Sequence, residues 1–511
     1  MYIKPSVAQG ALPFQYETEK TQSNYTGLAG LPSYLELSVV SGLADSINEN
    51  LHTKVQGWTD LQELMALIML HLAGGEHVED LNILQADDGF CRLMRKVETH
   101  GLPRAARRKL EKRWRKERHR SVPSPSSAFR FLESFHDASQ EKLRRPGVAF
   151  IPAPNIHLQA LPLINSALVG FAQKRRPETV GTLDMDATLI GTSKQEALPC
   201  YKGYPSYQPI NTYWVEQDLV LHTEFRDGNV PAGFQQLRVF KEALDLLPEG
   251  VETVRLRSDT AGYQHDLLRY CEMGENERFG RIEFAIACDV TPEFKEAVKE
   301  VPRKEWHKIY EKKKGKLVES GREWAEVCYV PNAIGHSLNG PVYRYLAIRE
   351  SLKQAVLPGM ESQMKLPFPT MEMEGQHYKV FGLVTNMDWD GEGLIHWSNK
   401  RCGKCEEANG VLKNDLAGGK LPSGKFGANA AWWWISVMAA NLNAIMKRLV
   451  LGGSWVNKRL KAIRFWLINI PGRVMERSRQ LFIRITAGHP AFDLLLMIRR
   501  KLAEWAAMPP G

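Results

Sequence analysis

Hydrophobic and polar positions along the chain change texture three times. The first fifty residues are polar and turn-rich. Residues 61–73 then place apolar side chains at helical spacing, with Thr59 or Asp60 positioned to cap a helix and Gly74-Gly75 to stop it. A short second helix is predicted over 78–84, and the turn between the two suits a helix-turn-helix as well as ordinary packed helices. The stretch SVPSPSSAFRFLESF predicts a loop running into a helix capped by Ser124 or Ser126, with Phe129, Leu132 and Phe135 on its apolar face.

From Thr179 the period shortens to two. TVGTLDMDATLIG and NTYWVEQDLVLHTEF read as strands, QQLRVFKEALDLL as a helix, and VETVRLRS as a further strand with a helix after it. Strands interleaved with helices predict a mixed α/β sheet with helices packed on it. Between 281 and 385, strand-like runs (RIEFAIACDV, WAEVCYV, VYRYLAIRE, YKVFGLVTN) alternate with charged loops. Helical texture returns near Gly393 and continues to Trp505. The expected division is a helical domain with a basic linker (1–150), the first part of an α/β core (151–280) and a strand-rich insertion (281–385). The second part of the core (386–450) and a helical C-terminal region (451–511) complete it.

Length agrees, since 511 residues at about 150 per domain make three or four domains. The 67 Lys and Arg against 58 Asp and Glu leave a net charge of +9, which points to an acidic partner, most commonly nucleic acid. The excess is concentrated in RAARRKLEKRWRKERHR, where Arg107, Arg108, Lys112, Arg113, Arg115 and Lys116 are candidates to track a phosphate backbone; a solvated helix face is the plainer alternative. Seven scattered cysteines and an N-terminus without a charged start and apolar core predict a reducing cytoplasm, and no apolar run of about 18 residues calls for a membrane.

Three acidic sites stand out. Asp184 and Asp186 lie in LDMDATL, where strand alternation puts both side chains on one face. Asp259 ends an apolar strand, the position at which open α/β sheets bind ligands, although alone it would read as a helix cap. Glu406 and Glu407 follow Arg401 on a predicted helix, and Glu406 shares a face with Lys413 two turns on. Cys402-x2-Cys405 has no second pair of ligands, which argues against zinc, and no phosphate-binding Gly-rich loop calls for ATP. Trp432-Trp433-Trp434 on a helix reads as core rather than as a platform for a flipped base.

Taken in order, these segments resemble the DDE transposases of bacterial insertion sequences, in the group whose third motif reads Tyr-x2-Arg-x3-Glu-x6-Lys. The resemblance covers about residues 120–450. It runs through Asp186 and Thr188, then Gly191, Gln195 and Glu196, the Gly203–Pro205 segment, and Arg257, Asp259 and Tyr263. It continues through the Arg401–Glu406–Lys413 helix and Phe426, Asn429, Ala439, Asn441 and Leu442. Two departures are visible: Ser398 stands where the tyrosine is expected, and Arg401 precedes Glu406 by five residues instead of four.

The resemblance implies a ribonuclease-H-like core interrupted by the strand-rich insertion. It also implies two Mg²⁺ or Mn²⁺ ions held by Asp186, Asp259 and Glu406, with Asp184 as an auxiliary and Glu407 as the alternative glutamate. Arg401 and Lys413 would hold DNA phosphates. The implied partners are duplex DNA with terminal inverted repeats and target DNA, bound by a homodimer. Carboxylates are what such chemistry needs, because hard cations prefer oxygen ligands and a pair of them can activate both attacking and leaving oxygens at phosphorus. A nuclease without strand transfer is one rival. A non-catalytic DNA-binding descendant is another, against which the intact acids argue.

Overall fold

The computed structural model describes residues 24–507 except 55, 117–119, 195, 314, 332–340, 353–367 and 479, with the backbone alone over 111–116. Five strands form one side of a single large sheet. β1 (Val180–Ala187) pairs antiparallel with β2 (Ile210–Trp214), and β2 antiparallel with β3 (Leu219–Glu224). On its other side β1 pairs in parallel with β4 (Thr253–Ser258), and β4 in parallel with β5 (Glu283–Cys288). The order β3-β2-β1-β4-β5, with β2 alone reversed, is a ribonuclease-H-like core. β1 is buried from Gly181 to Met185 and β2 throughout, as expected of central strands covered on both faces.

The run RIEFAIACDV, grouped from the sequence with the insertion, supplies β5 and pairs in parallel with β4. The remaining strands continue the same sheet: β6 (His307–Lys313), β7 (Lys316–Val327), β8 (Arg344–Ser351), β9 (Thr370–Met373) and β10 (Gln376–Thr385). β10 joins β5 through Gly382–Thr385 and β9 through Gln376–Lys379, with β8 along its other edge. A second hydrophobic core lies beneath these outer strands, formed by Trp324, Leu346 and Ile348 with Leu394 and Ile395. Gly391 is required there, because a Cβ would stand 2.2 Å from the Trp324 ring.

Four helices support the sheet and its acidic end: α1 (Asp60–Ala73), α2 (Ile156–Arg175), α3 (Gly391–Gly410) and α4 (Phe426–Ile445). α1 starts and stops where its sequence predicts. Thr59 and Gln62 form a reciprocal capping box at 3.2 and 3.1 Å, and Gly74 takes up φ +103° at the end. α2 is not marked in the sequence, because its apolar residues are not confined to one stripe and Pro162 lies inside it. Within the otherwise helical C-terminal region a hairpin, Gly472–Arg477 with Gln480–Arg484, pairs with Tyr25–Thr26; its short alternating runs carry a strand period.

α4 is buried on every side, with Trp432 and Trp433 at 0% exposure and Trp434 at 4%, so the tryptophan run is core. Such a helix must satisfy its polar atoms internally. The Trp432 indole donates to the Ala417 carbonyl and that of Trp433 to Thr223 Oγ1, each at 2.9 Å. Asn441 covers the sheet edge: its Oδ1 accepts from Val220 N and its Nδ2 donates to Val220 O, both at 2.8 Å, as a neighbouring strand would. Asn441→Leu is expected to leave Val220 N unpaired, its carbonyl keeping the bond from Asn165 Nδ2 at 3.1 Å, and to lower the unfolding free energy by about 1–3 kcal/mol. A urea titration with an unchanged midpoint would contradict this.

Candidate active site

Alternation on β1 does put Asp184 and Asp186 on one face, and α3 crosses that face. Residues 401, 405 and 409 of α3, four apart, meet the two carboxylates. Asp184 is fully buried. Arg257, its register neighbour on β4, grips it at 2.6 and 2.8 Å and donates its third nitrogen to the Trp397 carbonyl at 2.5 Å. The guanidinium also lies over the Trp397 ring, and Cys405 Sγ approaches Asp184 at 3.6 Å. Both Asp184 oxygens are therefore committed to holding α3 on the sheet.

Asp186, one step further along β1, is more open. Arg401 Nη1 stands 3.4 Å from Oδ1, and Asn409 Nδ2 donates to Oδ2 at 2.8 Å. Asn409 ends a chain of directed bonds that begins in the core. Trp433 donates to Thr223, the Thr223 hydroxyl donates to Asn211 Oδ1 at 2.5 Å, and Asn211 Nδ2 donates to Asn409 Oδ1 at 2.7 Å. Burial pushes the Asp186 carboxyl up to about 6; Arg401 pulls against this, while the charges of Asp259 and Glu406 add to it. Burial works to lower Arg401 as well, but the charge of Asp186, with Cys405 and Asp259 behind it, holds the guanidinium above its ordinary value.

Asp259 follows β4 and is partly exposed. One of its oxygens accepts from Ala261 N at 3.1 Å, so it does cap the turn after the strand while standing near Asp186. Glu406 and Glu407 are both exposed on α3 but face different surroundings. The charge of Glu406 reaches Asp186, whereas Glu407 lines a cavity of about 190 Å³ with Tyr213, Asp218 and Lys447. Among the described residues no three His, Cys, Asp or Glu side chains stand close enough together to hold a metal ion as they are placed.

Beyond Gly410 the helix widens into a π-helical turn, Val411–Asp415, which brings Lys413 Nζ to 3.5 Å from the Leu189 carbonyl. Burial lowers the Lys413 ammonium, and Asp186 partly restores it. Ala417 at φ +54°, Gly418 and Gly419 close the turn, the two glycines donating to the carbonyls of Leu412 and Lys413 at 2.9 and 3.0 Å. A Cβ on Gly418 would lie 2.8 Å from that Leu412 oxygen.

The structure thus gathers Asp186, Asp259, Glu406, Arg401 and Lys413 at one end of the sheet. Arg107 and Arg108 are exposed on the helix Arg104–Lys116, where Arg107 lines a cleft of about 310 Å³ with Arg92, Arg95, Lys96 and His100. The side chains of Lys112, Arg113, Arg115 and Lys116, and all of Gln195, lie outside the described residues. Asn409, Asn211 and Thr223 are not singled out by the sequence. Asn409 could be found from its four-residue spacing to Cys405, whereas Asn211 needs the β1–β2 register.

A sheet in this order, with acids at the ends of its two central parallel strands and a helix laid across them, defines a ribonuclease-H-like protein. The family model of the transposase DDE domain, group 1, matches residues 35–507, and the chain belongs to that family. A solved structure of a piggyBac transposase synaptic complex with hairpin DNA is similar at 11% identity, covering 85% of this chain and 78% of that one with a TM-score of 0.41. No curated protein matches. Among the described residues no helix is long and apolar enough to cross a membrane.

With its carboxyl raised to about 6, Asp186 binds a proton more tightly in the folded chain than in the unfolded one. Its contribution to stability is complete below the ordinary carboxylate range near pH 4 and is lost as pH rises through 6. Asp186→Asn is therefore expected to be more stable than the parent at pH 8, on the order of 2 kcal/mol, and no more stable at pH 4. Asp184→Asn, which strands a buried arginine, is expected to lose about 3 kcal/mol at both. Urea unfolding of the three proteins at the two pH values checks the signs.

Proposed function

We propose that the protein is the transposase of a bacterial insertion sequence, cutting and joining the element's ends at Asp186, Asp259 and Glu406. The observation that carries this reading is the Asp186 carboxyl raised to about 6 by burial and by two neighbouring acids, in a chain of the DDE transposase family. A largely buried Asp186 carboxylate, with the charges of Asp259 and Glu406 acting on it and Arg401 no nearer than 3.4 Å, suits a cation. Its donors are hard oxygens, which fit Mg²⁺ or Mn²⁺, and Asp186, Asp259 and Glu406 are the residues that would hold it. Bound there, a pair of such ions would polarise the phosphate and lower the pKa of the attacking hydroxyl.

The chain's own residues supply the rest. Arg401 shares Asp186 at only 3.4 Å and Lys413 donates only to a carbonyl at 3.5 Å, so both can turn to the non-bridging oxygens of a phosphate. They position the backbone without reading bases. Water is the nucleophile in cleavage: it attacks phosphorus in line as the bond to the 3′ oxygen breaks, and in the joining step the freed 3′-hydroxyl attacks a target phosphorus as the bond from that phosphorus to the target strand's own 3′ oxygen breaks. Glu406 is favoured over Glu407 because its charge reaches Asp186 while that of Glu407 is felt by Lys447. Residues before about 150, with Arg107 and Arg108 exposed, recognise the terminal inverted repeats. Two copies act together, since two DNA ends must be cut and joined in concert.

Incubation with Mg²⁺ and DNA carrying the element's ends tests the reading. Asp186→Asn and Glu406→Gln are expected to lose cleavage at least about 100-fold, the scale of removing one preorganised charge partner, with end binding retained. Glu407→Gln is expected to keep most activity. Full cleavage by Asp186→Asn would sink the site. Cut ends without joined product would leave a nuclease in place of a transposase.

A further inference from the structure

No acidic residue occurs between Asp415 and Glu476, a stretch that holds nine Lys or Arg. Within it, Arg459–Trp466 packs behind the turn that carries Lys413. Its inner side is fixed. Leu460, Ile463, Leu467 and Ile468 are buried, and Arg464 donates to the carbonyls of His71 and Leu72 at 2.5 and 2.9 Å and to that of Asp415.

Its outer side is unusual for a protein surface. Phe465 is 76% and Trp466 47% exposed, and the two rings lie edge to face with centroids 5.9 Å apart. Arg459 and Lys461, exposed beside them, stand 3.7 and 3.9 Å from the buried Asp415 carboxylate, whose oxygens accept no hydrogen bond. Asp415 thus holds the two cations nearby by charge, and neither spends a donor on it.

We propose that this strip binds DNA with unpaired bases, Phe465 and Trp466 stacking on the bases while Arg459 and Lys461 meet the phosphates. The proposal rests on the transposase reading and extends it to the form of DNA the chain holds. Charge selects a polyanion: Arg459 and Lys461 are exposed, and the one carboxylate beside them, that of Asp415, is buried and takes no donor from either. The adjacent exposed aromatics select unpaired over duplex DNA, because stacked base pairs hide the faces that such rings contact, whereas every unstacked base offers one. Asp415 lies two residues from Lys413 on the same turn, so a strand seated here would run on towards the phosphate beside Asp186. The ends would then be held with their bases parted next to the cut.

Fluorescence anisotropy on the full chain, in chelator so that no cutting occurs, provides the test. The probes are a labelled duplex and the same duplex with several unpaired bases at one end. Phe465→Ala with Trp466→Ala is expected to weaken binding of the unpaired probe about tenfold or more, the scale of losing a stacked base, and that of the duplex less than twofold. Arg459→Gln with Lys461→Gln, which leaves the rings in place, is expected to weaken both probes and flatten the salt dependence. Phe465→Tyr with Trp466→Phe is expected to restore the preference. Equal binding of the unpaired probe by the parent and the double alanine variant would overturn the proposal. So would a fall in the DNA-free particle mass of that variant by light scattering, since the rings would then join two copies of the chain. Failure of the parent to bind either probe would instead overturn the transposase reading itself.

Discussion

Asp184 and Arg257 place two opposite charges in the middle of the molecule, where removal from water costs more than simple attraction returns. The cost is met by geometry. Two parallel bonds join the pair, a third runs from the guanidinium to the Trp397 carbonyl, and the Trp397 ring lies against the remaining face. One partner sits on β1, the other on β4, and the carbonyl belongs to α3. The two central parallel strands and the helix across them are thereby fixed relative to one another. Everything at the surface end of this assembly inherits that fixity: Asp186 from β1, Asp259 from β4, Arg401 and Glu406 from α3.

The site itself runs the other way. Asp186 is ionised only against the penalty of burial and of two neighbouring acids, and what opposes that penalty is a long contact from Arg401 and a neutral amide from Asn409. Asn409 is in turn aimed by Asn211, Thr223 and Trp433, so the orientation of the carboxylate is set from the most buried helix in the chain. A strong fixed pair beside a strained, underpaired carboxylate is the usual division between stability and function.

Legibility in the sequence followed how local the physics was. The capped helix α1, the strand holding LDMDAT and the strand ending at Asp259 announce themselves through caps, period and position. Arg401, Glu406 and Lys413 could be grouped because helical spacing is read directly. The division of labour between Asp184 and Asp186 could not, since alternation puts both on one face and only the register with Arg257 separates them. α2 stayed hidden because apolar residues such as Ile156 and Leu163 stand on its exposed side as well as its buried one, and Pro162 interrupts it. RIEFAIACDV could be read as a strand but not assigned a neighbour, because parallel pairing is decided by crossovers rather than by the strand's own residues. The hairpin after Gly472 was masked by the helical texture around it.

The outer strands β6 to β10 meet α3 in the core formed by Trp324, Leu346, Ile348, Leu394 and Ile395, with Gly391 flat against the Trp324 ring. The first turns of the helix that presents Arg401 and Glu406 therefore rest on the insertion strands as well as on the five-stranded core, where Arg257 holds the Trp397 carbonyl. The insertion is thus no appendage: without its strands the apolar face of α3 at Leu394 and Ile395 would be left uncovered, and the placement of Arg401 and Glu406 would be lost with it.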